Sequence, residues 1–121
     1  MTKEELKDRT KKFAIAIVRL YEEIPKTVPN RKFFDQLIRS GSSVGANYRA
    51  ACRAKSTADF IYKLKIVEEE ADESVYFLEL LYAINEEKFH KTIKSLIKEG
   101  EELLAIFVSS INTVRKKQSK S

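Results

Sequence analysis

Few side chains in this sequence have the type and spacing that chemistry requires. The acidic run "EEEADES" at 68–74 places Glu69 three and four residues before Asp72 and Glu73, a helical spacing that carboxylate metal sites use. A di-metal bundle also needs Glu-x-x-His pairs that project inward from two helices. The only histidine, His90, lies in "EEKFHKT" without such a partner. We therefore predict no metal site in the chain.

Nucleophilic catalysis has no more support than metal chemistry. Cys52 lies on an apolar helix side and is interpreted as a small core residue. Serines 40, 42 and 43 have no base nearby, and His90 has no acidic or nucleophilic partner at a suggestive spacing. We expect no enzyme activity and no cofactor. An enzyme acting on a small molecule would need a polar pocket that the pattern does not indicate.

Basic residues are the more informative set. Within the second of four helical segments, five cations fall inside an arc of roughly 100° when the segment is drawn as a helix: Arg31, Lys32, Arg39, Arg49 and Arg53. Such a row could follow the phosphates of a nucleic acid without reading its bases. It could equally be a solvated face, or a surface that pairs with acidic residues of a neighbouring subunit.

Periodicity and capping residues divide the chain into four helices at about 3–24, 31–55, 57–84 and 86–117. "PKTVPN" at 25–30 ends the first helix, Asn30 is the expected N-cap of the second, and Ser56 is that of the third. No stretch alternates with period two. A single domain is predicted, with an all-α fold in which four amphipathic helices form an antiparallel up-down bundle.

The stretch "RSGSSVGANYRAACRAKS" at 39–56 has the glycines of a loop, but its apolar residues recur at helical spacing. On a helix, Gly41 lies on the apolar side with Gly45 at its flank, where each lets a neighbouring helix approach closely. A phosphate-binding loop is disfavoured because "GSSVG" lacks the lysine of that motif and follows no strand.

A second apolar stripe runs along the third helix, and part of one along the first. A single bundle core cannot bury both faces, so we predict that copies of the chain associate. The alternative is a broadened core, or scattered surface residues that need no partner. The predicted interface consists of Ile15, Val18, Ile66, Phe77, Leu80 and Ile84, together with Glu70 and Glu73, which could pair with arginines across it.

Composition favours a helical protein that stays in the cytoplasm. The chain has 121 residues, a net charge of +5 and one cysteine, and no apolar run approaches the length that spans a bilayer. The N-terminus "MTKEELKDRTKK" has no apolar segment of the signal-peptide kind. Charge is uneven, since residues 1–55 hold 13 Lys/Arg against 6 Asp/Glu and residues 56–121 hold 10 against 12.

Three sequence pieces resemble a known family: "RSGSSVGAN" at 39–47, "DFIYKLKIVEEEADES" at 59–74 and "YFLELL" at 76–81. They are similar to the 23S rRNA intervening-sequence proteins, most clearly from Phe33 to Leu81. The resemblance implies an up-down four-helix bundle assembled as a ring-like homopentamer, and no enzyme activity. It also implies a gene that in some bacteria lies within an insertion in the large ribosomal RNA gene. Related accessory proteins of diversity-generating retroelements are basic pentamers that bind nucleic acid.

Two positions depart from the family pattern. Ala50 and Ala51 follow "YR" where an acidic residue is expected, and Phe77 stands where the family often has tryptophan. The first change makes the arginine face more positive but removes a possible ion pair between subunits. The leading hypothesis is a non-enzymatic, oligomeric protein that contacts RNA, ribosomal or other, through the basic face. The alternative is a scaffold or interaction module with a protein partner and no nucleic-acid role.

Overall fold

Proline and hydroxyl caps set the helix boundaries in the computed structural model of the protein, which describes residues 1–119. The four long helices are α1 (Lys3–Glu23), α2 (Val28–Ala51), α3 (Thr57–Ile84) and α4 (His90–Ser119), with a short 3₁₀ turn at Glu87–Phe89. No strand occurs among these residues. The prediction of an all-α chain with four helices is confirmed.

Helix starts follow capping chemistry. The Thr2 hydroxyl accepts a hydrogen bond from the backbone N–H of Glu5, whose carboxylate accepts one from the N–H of Thr2, so a full capping box opens α1. Ser56 caps α3 as predicted, by accepting from the N–H of Asp59. At the other end of α1, Ile24 is extended because Pro25 follows it.

The prediction that Asn30 caps α2 is wrong. The Thr27 hydroxyl accepts from the N–H of Asn30, so α2 begins at Val28, three residues earlier than expected. Pro29 fits within this first turn because its missing N–H would have no helical partner there. Asn30 is instead buried, where its amide exchanges two 2.9 Å hydrogen bonds with the amide of Asn85.

Two other boundaries differ from the sequence prediction. α2 ends at Ala51 rather than near Lys55, because the N–H groups of Arg53 and Ala54 turn back to carbonyls three residues earlier. α4 begins at His90 rather than near Glu86, with the 3₁₀ turn before it. The first difference places Arg53 in a turn, outside the helical face to which it was assigned.

All four helices contribute to one apolar core. Neighbours along the chain make the main contacts, α1 with α2, α2 with α3 and α3 with α4, whereas α1 and α4 touch less. The largest side chains with almost no exposed surface include Phe13, Ile17, Phe34, Leu37, Leu64, Leu78 and Phe107. These residues are the centre of the apolar stripes, so the four-helix packing follows from the pattern of the sequence.

Glycine lets these helices approach closely. A Cβ at Gly41 would lie 2.4 Å from the buried Ile17 Cδ1, and one at Gly45 would lie 3.0 Å from Thr10 Oγ1. Gly100 of α4 similarly faces Val75 of α3, 2.8 Å from a Cβ built on the glycine. The mid-helix glycines therefore serve packing.

Within residues 1–119, none of the helices combines the length and the apolar composition that a membrane-spanning segment needs.

Candidate nucleic-acid interface

Arg39, at the middle of the predicted basic row, is engaged within its own chain. Its Nη1 lies 3.1 Å from Glu70 Oε2, and its Nη2 contacts the carboxylate of Glu73. Partial burial acts against the charged guanidinium, yet the two carboxylates raise the pKa of Arg39. The arginine joins α2 to α3, and two negative charges compensate its one positive charge.

Arg49 lies on the α1 side of α2. It is exposed and lines a surface cavity of about 470 Å³ between the two helices, together with the basic Lys7 and Lys11 and the acidic Glu4 and Asp8. Thr10 is opposite Gly45, so the small residue of α2 brings the lysines of α1 towards Arg49. A helical projection of α2 alone does not contain these lysines, because they lie on α1.

The remaining predicted cations lie apart from one another. Arg31 and Lys32 are exposed in the first turns of α2, and Arg53 is exposed in the turn after it. Arg31 and Arg49 are separated by 18 residues of helix, about 27 Å at roughly 1.5 Å per residue. The five cations therefore form two separate groups with a compensated arginine between them, rather than one uninterrupted row.

The predicted interface residues divide by exposure. Ile15, Val18 and Ile84 are exposed, at 46%, 40% and 50% of their full surface. Ile66 and Leu80 are half-buried. These five apolar side chains therefore lie on a surface that the rest of the chain covers only in part.

Other members of the predicted interface contact partners inside the chain. Phe77 is half-buried against the core, with its ring 6.2 Å from that of Phe33 and 5.4 Å from that of Tyr76. Glu70 and Glu73 bind Arg39. Ion pairs between these carboxylates and an arginine, which the sequence suggested between subunits, are therefore formed here within one chain.

The side chains with catalytic potential have structural surroundings. The ring of His90 stacks on Tyr82 at a centroid distance of 3.9 Å, and its Nε2 lies 3.0 Å from the carbonyl oxygen of Asn85. Cys52 is half-buried next to Tyr48, whose pKa is raised by burial and by that thiol. Within residues 1–119, no three His, Cys, Asp or Glu side chains are grouped to hold a metal ion.

An ion-pair network that the sequence analysis did not find connects the first and last helices. Arg9 of α1 donates two 2.7 Å hydrogen bonds to the carboxylate of Glu99 and one of 2.8 Å to Glu102, both on α4. The hydrogen bonding to Glu99 is the main reason that the pKa of Arg9 is raised. Only a three-dimensional arrangement brings these residues together, since about 90 positions separate them in sequence.

Four amphipathic helices around one core, with exposed cations on the surface, define a small all-α four-helix protein. The chain belongs to the 23S rRNA-intervening sequence protein family, whose profile matches residues 3–109. The resemblance noted in the sequence is thereby confirmed.

A solved structure supports the same assignment. The crystal structure of a protein with unknown function from the S23 ribosomal protein family of Bacteroides thetaiotaomicron VPI-5482 superimposes with a TM-score of 0.73 at 37% sequence identity. The alignment covers 93% of this chain and 99% of that one. No curated protein matches the chain.

Proposed function

We propose that this protein is a non-enzymatic, oligomeric RNA-binding protein of the cytoplasm that holds RNA by its phosphates. Four of the five predicted cations support the proposal: Arg31, Lys32, Arg49 and Arg53. Each is exposed, and none makes an ion pair with another side chain of the described residues, unlike Arg39. Exposed cations of this kind release the counterions of a nucleic acid when they bind its phosphates.

Oligomerisation would strengthen such contacts. We propose that the four helices run antiparallel and that several bundles assemble as a ring. The contact of Asn30, near the start of α2, with Asn85, at the end of α3, supports the antiparallel direction. The exposed Ile15, Val18 and Ile84 support association. Repeating a modest cationic surface in a ring raises the effective concentration of each contact for the next.

Filter binding of a labelled ribosomal RNA fragment at low and high salt, about 50 mM and 200 mM, tests the proposal. The wild-type protein should retain RNA at the lower salt concentration and lose much of its affinity at the higher one. Replacing Arg49 and Arg53 with glutamine should reduce the salt slope by about one for each phosphate that is no longer bound. Arg39→Gln is the matched control for either single change, Arg49→Gln or Arg53→Gln, and should change the slope less because this arginine already faces two carboxylates. Failure of the wild type to retain RNA at low salt would refute the proposal.

A protein scaffold is the second candidate, and the exposed apolar residues of α1 and α3 favour it. In that case the cations serve subunit pairing, so charge reversal at Arg49 and Arg53 should dissociate the oligomer. Size-exclusion chromatography with light scattering separates the two functions. If the protein binds RNA, the charge-reversed variant should keep the molar mass of the oligomer and lose its affinity for RNA. If the protein is a scaffold, the molar mass of the variant should fall to that of smaller species.

A further inference from the structure

One end of the molecule gathers cations from α1, α2, α4 and the turn between α2 and α3. Lys3 of α1, Lys55 of the turn between α2 and α3, and Val114 of α4 line one surface cavity of about 320 Å³. Cys52 and Ala54 line it too, so Arg53 lies between two residues of its wall. We define this region as the basic end, with exposed cations at Lys3, Arg49, Arg53, Lys55, Arg115 and Lys116.

The positive charge of the chain is concentrated in the part of the bundle that carries this end, which we call the positive half although it holds fewer residues than the rest. Residues 1–12, 46–66 and 106–119 together hold 13 Lys/Arg and 4 Asp/Glu. The remaining described residues, 13–45 and 67–105, hold 9 Lys/Arg and 14 Asp/Glu, and we call them the negative half. The small net charge of the whole chain therefore hides a strongly positive half and a negative half.

The four acidic residues of the positive half are all engaged with other groups. Glu4 pairs with Lys7, Asp8 with Lys12 and Asp59 with Lys63. The fourth, Glu5, accepts the hydrogen bond that completes the capping box of α1.

The cations of the basic end consequently have little local compensation. Arg49 lines a cavity with Glu4 and Asp8, but these carboxylates already pair with Lys7 and Lys12. The backbone N–H of Lys55 donates to the Asp59 carboxylate at 3.2 Å. Lys3, Arg49, Arg53, Arg115 and Lys116 make no ion pair with a described side chain. Such a surface has a high positive potential and attracts a flexible polyanion.

An aromatic ring lies in the same half. Tyr62 of α3 is 67% exposed, and Lys65 follows it by one helical turn and is exposed as well. An exposed aromatic ring beside cations can stack an unpaired base while the cations hold the neighbouring phosphates. A duplex offers no unpaired base, so this combination favours a single strand.

We propose that the basic end is where the protein binds single-stranded RNA, with its cations on the phosphates and Tyr62 stacked on a base. The inference rests on the proposed function and deepens it, since it moves the principal contact from the length of α2 to one end of the bundle. It also adds residues of α1, α3 and α4 to the site.

Two triple variants with the same reduction of charge test the assignment. The basic-end variant carries Lys3→Gln, Arg53→Gln and Lys116→Gln, and the control carries Lys88→Gln, Lys91→Gln and Lys98→Gln in the other half. All six residues are exposed, and circular dichroism checks that both variants fold. Binding of an unstructured RNA of about 20 nucleotides is measured by fluorescence anisotropy from roughly 50 mM to 300 mM salt.

Removing three cations that bind phosphates should lower the salt slope by about two, which near 0.1 M salt corresponds to roughly a 100-fold weaker affinity. The control should weaken binding by less than about threefold, because it changes only the long-range, salt-screened attraction between the protein and the RNA. Equal weakening in the two variants, with the wild type binding RNA, would overturn the basic end and leave the proposed function intact. No binding by the wild type would overturn both.

Tyr62→Ala and Tyr76→Ala form a second matched pair, because both tyrosines are exposed on α3 and lie in opposite halves. Tyr62→Ala should weaken binding of the single strand about 5- to 150-fold, as expected when a base no longer stacks, and leave binding of a duplex of the same length unchanged. Tyr76→Ala should change neither. Equal effects of the two substitutions, or tighter binding of the duplex, would overturn the assignment of a single strand.

Discussion

Replacing Gly41 with alanine measures how closely α1 and α2 are packed. The new Cβ would lie 2.4 Å from Ile17 Cδ1, and Ile17 has no exposed surface through which that methyl could move away. Alanine gains about 1 kcal/mol over glycine in a helix interior, whereas overpacking a core costs about 1–3 kcal/mol. We expect Gly41→Ala to lower the free energy of unfolding by about 1 kcal/mol.

Ile17→Val removes the Cδ1 atom and should cost about 0.5–1.5 kcal/mol alone. In the double variant the alanine methyl occupies the space that this atom leaves, and the remaining Ile17 Cγ1 position is at an ordinary contact distance of 3.8 Å. The double variant should therefore fall within about 0.5 kcal/mol of the wild type. The two substitutions would then couple favourably by about 1–2 kcal/mol.

Urea denaturation followed by circular dichroism supplies the four free energies of this cycle, at two protein concentrations because association would add to stability. Gly45→Ala is the matched control, since its Cβ would approach Thr10 rather than Ile17 and should not couple to Ile17→Val. A Gly41→Ala protein about 1 kcal/mol more stable than the wild type would show only the helix-propensity gain. That result would refute the close-packing role of the glycine.

Three further predictions concern polar groups. Asn85→Ala should cost about 1–3 kcal/mol, measured by urea denaturation, because it leaves the buried Asn30 amide without two hydrogen bonds. The hydrogen bond from Lys63, with a second from the backbone of Lys55, lowers the pKa of Asp59. The ionised Asp59 carboxylate should therefore contribute fully to the stability of the folded state above its unfolded-state pKa of about 3.9. This contribution should disappear as pH falls through the lower pKa of the folded state, which NMR titration of the carboxylate can locate. Burial raises the pKa of Tyr48, so its phenol should stay protonated as pH rises past about 10, and the stability it contributes should decline above that pH, as ultraviolet absorption can follow.

Each of these outcomes has a clear opposite. An Asn85→Ala protein within about 0.3 kcal/mol of the wild type would mean that water satisfies the Asn30 amide. An Asp59 carboxylate that titrates at its ordinary pKa would show that its hydrogen bonds do not favour the charged form. Ionisation of the Tyr48 phenol near a pH of about 10, in a protein that stays folded, would contradict its burial, and comparison with Tyr48→Phe identifies its share of the absorption signal.

The sequence was sufficient for the helices because caps and periodicity are local. Ser56 was identified from its own neighbourhood, and the close approach at Gly41 follows from a glycine on an apolar helix side. The N-cap of α2 was misassigned because Thr27 and Asn30 can both cap a helix. Thr27 is the one that precedes Pro29, which fits the first turn. Which of two nearby caps is used depends on what else each side chain contacts. Here the partner of Asn30 is Asn85, 55 positions away.

The site was less predictable because it depends on contacts between helices. A helical projection of α2 places Arg39 among other cations, but it contains no information about the carboxylates that α3 brings beside it. A separate projection of α3 assigns Glu70 and Glu73 to another surface. One cation of the predicted basic row and two carboxylates of the predicted oligomer interface are therefore joined in the folded chain, and their charges compensate each other.

Chain connectivity explains why the positive charge collects at one end of the bundle. When neighbouring helices run in opposite directions, the start of α1, the turn after α2 and the end of α4 meet at the same end, as Lys3, Lys55 and Val114 do. Cations that are far apart in sequence then add their potentials, whereas a basic row along one helix can be interrupted by one well-placed carboxylate on its neighbour. Residues 67–105, which carry most of the acidic side chains, lie mainly in the opposite half. A polyanion approaching this molecule would therefore meet attraction at one end and repulsion at the other, so the direction of approach is set by the fold rather than by any single arginine.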